Sequence, residues 1–192
     1  MEDGVSPQKQ RIMREAAKLF ASKGYDATGI SDILEAVGLG KGALYHHIGS
    51  KEALLYDISR AHVVQMVAVG EEILARDEPA DVKLRELSRQ LIRTIATSLP
   101  EVTVFFAEHR AVTGDRRKEL MQLRHRFEEI WAAILKQGEH EGIFRPTDEI
   151  DVKGVLGTFN YTYVWFKPRG SVSPEQLADR YVELLLGGLK PD

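Results

Sequence analysis

The chain has 192 residues, enough to bury a sizeable core in one domain or in a small domain fused to a larger one. Its 43% hydrophobic and 29% charged content excludes a disordered chain, and the absence of cysteine excludes disulfides, thiolate metal sites and cysteine nucleophiles. The net charge of −3 and the local balance of Lys and Arg against Asp and Glu up to His62 give no electrostatic pointer to nucleic acid. No apolar run approaches the ~20 residues that span a bilayer, and Met1 to Lys9 is too polar for a signal peptide, so no membrane partner and a cytoplasmic location are expected.

Taken in order, the chain reads as helix nearly throughout. Ser6 and Pro7 give an N-cap and a first-turn proline. Ile12, Ala16, Leu19 and Phe20 follow at helical spacing, and Gly24 supplies the stop. Ile30, Ile33, Leu34 and Val37 form a second apolar face ended by Gly38, and a third short helix runs from Lys41 to about Ile48. Ser50 then caps a long helix from Lys51 towards Arg76. Asp77-Glu78-Pro79 is a break. Leu84, Leu87, Leu91, Ile92 and Ile95 make the next amphipathic helix, ended by Leu99-Pro100. Helices are predicted over Glu101 to about Thr113, Arg116 to Glu141, Glu149 to Phe166 and Pro174 to Leu189. No segment alternates with the period of a strand. The predicted class is all-α, with an N-terminal helix-turn-helix domain over 1–60 and a larger helical domain over 61–192.

The joint between the second and third helices carries the functional signal. Gly38-Leu39-Gly40 is a tight turn with one apolar residue able to plug the angle between helices, as a helix-turn-helix requires. The third helix then presents Lys41, Gly42, Ala43, Tyr45, His46 and His47 outward, with Leu44 and Ile48 inward. Slim Gly42 and Ala43 permit close approach to base edges, and Lys, Tyr and His can donate to phosphates or bases. The plain alternative is that Tyr45 and the histidines merely pack a small helical subdomain.

The stretch TGISDILEAVGLGKGALYHHIGSKEALL, from Thr28 to Leu55, resembles the DNA-binding domain of the TetR family of bacterial regulators. The preceding AAKLFASKGY, from Ala16 to Tyr25, is similar to that family's first helix and its glycine stop. The resemblance implies phosphate contact by Thr28 at the start of the second helix. It implies backbone and groove contacts by Lys41, Tyr45 and His46, and a phosphate partner for Lys51 at a helix N-terminus; Gly40, Gly42 and Ala43 are assigned to the same DNA-binding surface. Two positions depart from the family pattern: Gly29 and Gly40 stand where a hydroxyl residue is common.

A single short recognition helix reads only a few base pairs, so a two-fold dimer is expected, with its recognition helices one DNA turn apart, about 34–36 Å, or a multiple of it. The resemblance implies an interface formed by the last two helices. There Val155 and Phe159 on one helix, and Leu177, Tyr181, Leu184, Leu185 and Gly188 on the other, form stripes that serve dimerisation, the subunit's own core, or each on different sides. Aromatic residues concentrate in the same half. Phe105, Phe127, Trp131, Phe159 and Tyr163 either fill the core or line a cavity. Glu108, His109 and Arg110 either face that cavity as fixed polar groups or form a solvated surface. The FAEHR, GIFRP and WFKPRG segments, beginning at Phe106, Gly142 and Trp165, are similar to sensor domains of regulators of fatty acid and steroid catabolism. That similarity implies a small apolar effector of the acyl-coenzyme A class.

An enzyme is not expected. No Glu-x-x-His pair, zinc-protease motif, nucleophile elbow, phosphate loop or dinucleotide fingerprint occurs, and no cofactor or metal is implied. Adjacent His46 and His47 point about 100° apart on a helix and cannot readily share one ion. The reading is therefore a ligand-responsive repressor that binds a palindromic operator as a homodimer. The alternative is a helical metal- or ligand-binding interaction protein that does not bind an operator.

Overall fold

The computed structural model describes residues 5–189, and every regular element among them is helical. In chain order these are α1 (Pro7–Lys23), α2 (Ile30–Val37), α3 (Lys41–Ile48), α4 (Lys51–Leu74), α5 (Ala80–Thr97) and α6 (Leu99–Glu108). A 3₁₀ turn (His109–Ala111), α7 (Gly114–His140), α8 (Glu149–Asn160), the single turn α9 (Thr162–Trp165) and α10 (Pro174–Leu189) follow. No helix among the described residues is long and apolar enough to cross a membrane.

Local chemistry accounts for most boundaries. The Ser6 hydroxyl accepts the Lys9 N–H at 3.2 Å with Pro7 in the first turn, and Gly24 ends α1 at a φ of +88°. The Ser50 hydroxyl accepts the Ala53 N–H at 3.0 Å and starts α4. Asp148 caps α8 by accepting the N–H groups of Ile150 and Asp151. Three boundaries differ from the sequence expectation, the first being the helix predicted to reach about Thr113, which ends at Glu108 and passes into the 3₁₀ turn. Pro100 does not end a helix but sits in the first turn of α6, where its missing N–H has no intrahelical partner to lose. The helix predicted over Glu149 to Phe166 breaks after Asn160. The buried Thr162 hydroxyl donates to the Phe159 carbonyl at 2.7 Å and the Val164 N–H turns back to Tyr161, which tightens the chain out of α-helical register.

The chain forms two compact units, and they do not divide it at one point. The first joins the N-terminal residues up to His62 with Pro100–Met121. Its core gathers Ile12, Phe20, Ile33, Leu44, Leu54 and Ile58, together with Val104, Val112 and Leu120 from the later segment. Fully burying one such side chain contributes ~1.5–3 kcal/mol, so short α2 and α3 are held by this packing rather than by propensity.

The second unit comprises Val63–Leu99 and the residues from Gln122 onward, with α10 packed on α5 and α8. Arg89 grips both carboxylate oxygens of Asp179 at 2.8 and 2.9 Å, and Arg85 and Arg93 pair with Glu183 and Glu175 one turn to either side. Buried Lys83 donates to the Leu74 carbonyl and to Gln137, placing a cation on the C-terminal end of α4. Gly138 lies under the Phe144 ring so closely that a Cβ there would stand 2.0 Å from it.

Candidate functional site

The geometry between α2 and α3 follows from three glycines with different duties. Gly38 adopts the left-handed conformation, φ +64° and ψ +36°, and returns its N–H to the Leu34 carbonyl at 2.9 Å. A side chain with a Cβ would be strained there. Leu39 follows, half-buried against the core of the unit, and fills the angle as its position predicts. Gly40 is the N-cap of α3 but has an ordinary extended backbone, φ −74°, with open space where a Cβ would stand. Gly42 likewise faces open space. The Arg11 guanidinium donates to the Val37 carbonyl at 3.0 Å and closes the end of α2.

On α3, Leu44 and Ile48 are buried, whereas Lys41, Gly42, Ala43, Tyr45 and His46 are exposed and His47 is half-buried. The helix is fixed by its inner face, and its outer face is small in the first turn and carries donors beyond it. That arrangement suits close approach to a groove, with ring and cationic groups at the margin.

At the entrance to α2, Asp32 accepts the Gly29 N–H at 2.7 Å and pairs with Lys23 at 3.0 Å. These two contacts, the backbone N–H first, hold its carboxyl below the usual range. Thr28 stands elsewhere than predicted. It is fully buried, and its hydroxyl donates to the Gly24 carbonyl at 2.8 Å, so it locks the loop and its side chain cannot reach a phosphate. Ser31, the second residue of α2, is exposed and carries a hydroxyl on this surface that the sequence pattern alone did not single out.

Lys51, in the first turn of α4, lies over the Tyr25 ring, its Nζ 4.2 Å from the centroid. The Tyr25 N–H in turn donates to Glu108 Oε1 at 3.1 Å. Burial, and then the nearby carboxylates of Glu52, Asp26 and Glu108, raise the Tyr25 hydroxyl above its ordinary range.

Residues 12–58 match the family model for bacterial regulatory proteins of the tetR family, and residues 77–189 match that for the tetracyclin repressor-like C-terminal domain. The chain belongs to the TetR family. Across 189 residues it is 30% identical to the HTH-type transcriptional repressor KstR2 of Rhodococcus jostii, covering 97% of this chain and 93% of that protein. The solved structure of the TetR family regulator PfmR from Thermus thermophilus is 37% identical with a TM-score of 0.88, over 94% of this chain and 100% of that one. AibR, solved in complex with isovaleryl coenzyme A and operator DNA, is 28% identical with a TM-score of 0.83, over 93% and 98% of the two chains. This TetR-family chain is thus a helix-turn-helix DNA-binding regulator with a larger helical C-terminal domain.

The residues predicted to bind a ligand fall in two sets. Phe105, Glu108, His109 and Arg110 belong to the first unit. There Phe105 is buried against the His62, Phe106 and His109 rings, Glu108 is engaged with Tyr25, the His109 Nδ1 lies 2.8 Å from the Phe105 carbonyl, and Arg110 is exposed. Phe127, Trp131, Phe159 and Tyr163 belong to the second. Trp131 and Phe159 are fully buried with ring centroids 5.5 Å apart, Phe127 meets Trp131 edge-on, and Tyr163 is half-buried. The Trp131 indole N–H has no hydrogen-bond partner among the described residues. An open groove of about 520 Å³ lies between α7 and the start of α8, with Ala132, Ala133 and Val152 among charged residues and His125 along it, but none of those aromatic residues lines it.

The stripes on α8 and α10 divide by side. Val155, Phe159 and Leu177 are buried in the core of the unit itself, Tyr181 and Leu185 are half-buried, and Leu184 and Gly188 are exposed. Tyr161, Val164 and Trp165 add exposed apolar surface next to α8. Glycine at 154, 157, 187 and 188 leaves open space on these helices rather than relieving a close contact.

Proposed function

We propose that the chain is a transcriptional repressor in the cytoplasm that binds a palindromic operator as a homodimer and releases it when a small apolar effector binds. The observation that carries this is α3, anchored by Leu44 and Ile48 with Lys41, Gly42, Ala43, Tyr45 and His46 turned outward. The groove contacts are assigned to that face and to Gly40, and the phosphate contact to Lys51.

Dimerisation is supported by large apolar side chains left exposed, with Leu184 73%, Tyr161 63% and Trp165 45% accessible. A patch of this kind marks an interaction surface. The interface is assigned to this outward side of α8 to α10, including Leu184, Leu185, Tyr181 and Gly188, while Val155, Phe159 and Leu177 support it from beneath.

The effector class is an acyl-coenzyme A thioester. In its support, AibR is a structural relative solved with isovaleryl coenzyme A, and the buried Trp131 N–H is a donor that a thioester carbonyl would satisfy. Phe127, Phe159 and Tyr163 would supply the apolar lining. An effector shifts the operator equilibrium only by its difference in affinity between the two conformations, and α4, which runs from Lys51 to Leu74, is the lever assigned to that shift.

The test is selection of duplexes from a random pool by the full chain, followed by titration with acyl-CoA thioesters of increasing length. An enriched inverted repeat bound by two chains, and released by one range of acyl lengths, is the expected result. Enrichment of no sequence would overturn the operator reading. An operator that no thioester releases would overturn the effector class alone.

A further inference from the structure

We infer that Glu108 is a positioning residue for the phosphate contact of Lys51, acting through Tyr25 without touching DNA. The inference rests on the operator-binding reading above.

Lys51 has a long, flexible side chain, and a lysine that contacts phosphate must hold its ammonium near the DNA before binding or lose rotamer freedom on binding. Here the Tyr25 ring provides the resting place, with the ammonium 4.2 Å from its centroid. The ring can do this only if the loop after α1 is fixed. Within the loop, the Gly24 N–H returns to Phe20, the Thr28 hydroxyl to Gly24 and the Thr28 N–H to the Tyr25 carbonyl. Those bonds close the loop on itself but leave the Tyr25 N–H to be satisfied from outside. Its acceptor is Glu108 Oε1 at 3.1 Å, from the last residue of α6 and 83 positions away in sequence.

A second carboxylate, on the residue next to Lys51, makes a comparable contact. Glu52 accepts the Thr113 N–H at 3.3 Å and the Arg116 guanidinium at 2.6 Å. One short segment, from Glu108 to Arg116, therefore grips both the loop beneath the Lys51 ammonium and the helical turn that carries Lys51. Glu52 ties that turn to the segment through its carboxylate, and Glu108 holds the surface on which the Lys51 side chain lies. A charged acceptor on a backbone N–H makes the stronger sort of hydrogen bond, which suits a contact that must fix a loop.

The test uses the full chain as wild type, E108A, E108Q, K51A and the E108A/K51A double variant. The probes are a random-sequence duplex of roughly 30 base pairs and the duplex that the wild type enriches from a random pool. Association constants are measured from about 50 to 200 mM salt. E108A is expected to weaken binding about five- to tenfold on both duplexes and to flatten the slope of log K against log salt by about one. E108Q, which keeps an oxygen acceptor, stays within about twofold of wild type, and E108A adds less than about twofold in the K51A background. Tyr25→Leu keeps the N–H to Glu108 but removes the ring, and should reproduce the E108A loss even if E108A proves poorly folded.

Equal losses from E108A with and without Lys51, or a harmless Tyr25→Leu, would overturn the inference while leaving operator binding intact. A wild type that binds neither duplex would overturn both.

Discussion

The outer face of α3 and the inner face of α10 treat polar groups in opposite ways. On α10, Glu175, Asp179 and Glu183 recur every four residues and each meets an arginine of α5, so the polar edge of the helix is committed within the unit. On α3, only Leu44 and Ile48 bind the helix to its core, and Lys41, Ala43, Tyr45 and His46 stay exposed. A helix whose donors are already paired cannot offer them to a ligand without losing internal contacts. A helix held by two apolar residues can. The difference teaches where substitutions should separate binding from stability: on α3 they should change affinity, and in the second unit they should change folding.

The sharpest way to break that contrast is Ala43→Glu. The site is exposed on the slim face of α3, so the folded chain should keep its thermal midpoint. A carboxylate facing base edges and phosphates should lower affinity for the selected operator on the order of 100-fold or more. Unchanged affinity would remove α3 from the groove.

A large effect on folding, with no change at the DNA surface, is expected from His62. This imidazole is buried beside Phe105, and burial lowers its pKa from 6.5 to about 4. Below pH 6.5 the unfolded chain takes up a proton that the folded chain refuses. Stability from this group is therefore intact above 6.5 and is lost as pH falls towards 4, by about 3 kcal/mol in all. Denaturant midpoints measured between pH 7.5 and 4 should show this slope, and His62→Leu should flatten it. A wild-type slope retained in His62→Leu would assign it to other groups.

How much of this was legible in the sequence depended on distance along the chain. The Gly38 stop, the Leu39 plug and the inward Leu44 and Ile48 were readable because each follows from residues within one or two turns. Thr28 misled: its place before α2 suits a phosphate contact, but its hydroxyl finds a carbonyl four residues back and the side chain is buried. The break after Asn160 was hidden for a similar reason, since a threonine hydroxyl that tightens a turn leaves the apolar spacing unchanged. Glu108 was read as either a cavity or a surface group. Its partner is the backbone N–H of a residue 83 positions earlier, which no periodicity reports.

In the second unit the comparison is sharpened by Gly138→Ala. The added Cβ would meet the Phe144 ring at 2.0 Å, and Phe144 is itself buried, so the ring cannot simply swing into solvent. Overpacking of this kind costs about 1–3 kcal/mol, less the fraction regained from alanine's higher helix propensity. Urea denaturation should show the loss, while the folded protein's operator affinity stays within about twofold of wild type, because none of the residues that Gly138 meets belongs to α3. An affinity loss at constant stability would mean that the contrast between the two helices has been drawn in the wrong place.

The smallest expected effect lies at Gly40, and it tests whether the two properties can be moved together. Its φ of −74° suits any residue, and nothing stands within 4 Å of the place a Cβ would occupy. No backbone strain therefore opposes Gly40→Ser. A serine N-cap hydroxyl can accept an N–H in the first turn of α3, where the structure has no side-chain cap. Relative to glycine such a cap stabilises by only a few tenths of a kcal/mol, so the thermal midpoint should rise by no more than about 2 °C. The same hydroxyl sits at the start of the helix assigned to the groove and can donate to a phosphate oxygen. Operator affinity should then rise by more than the cap alone provides, about three- to tenfold against less than about twofold. A rise matching the cap alone would place Gly40 beside the DNA surface rather than on it, and would confine the binding face to Lys41 and the residues that follow.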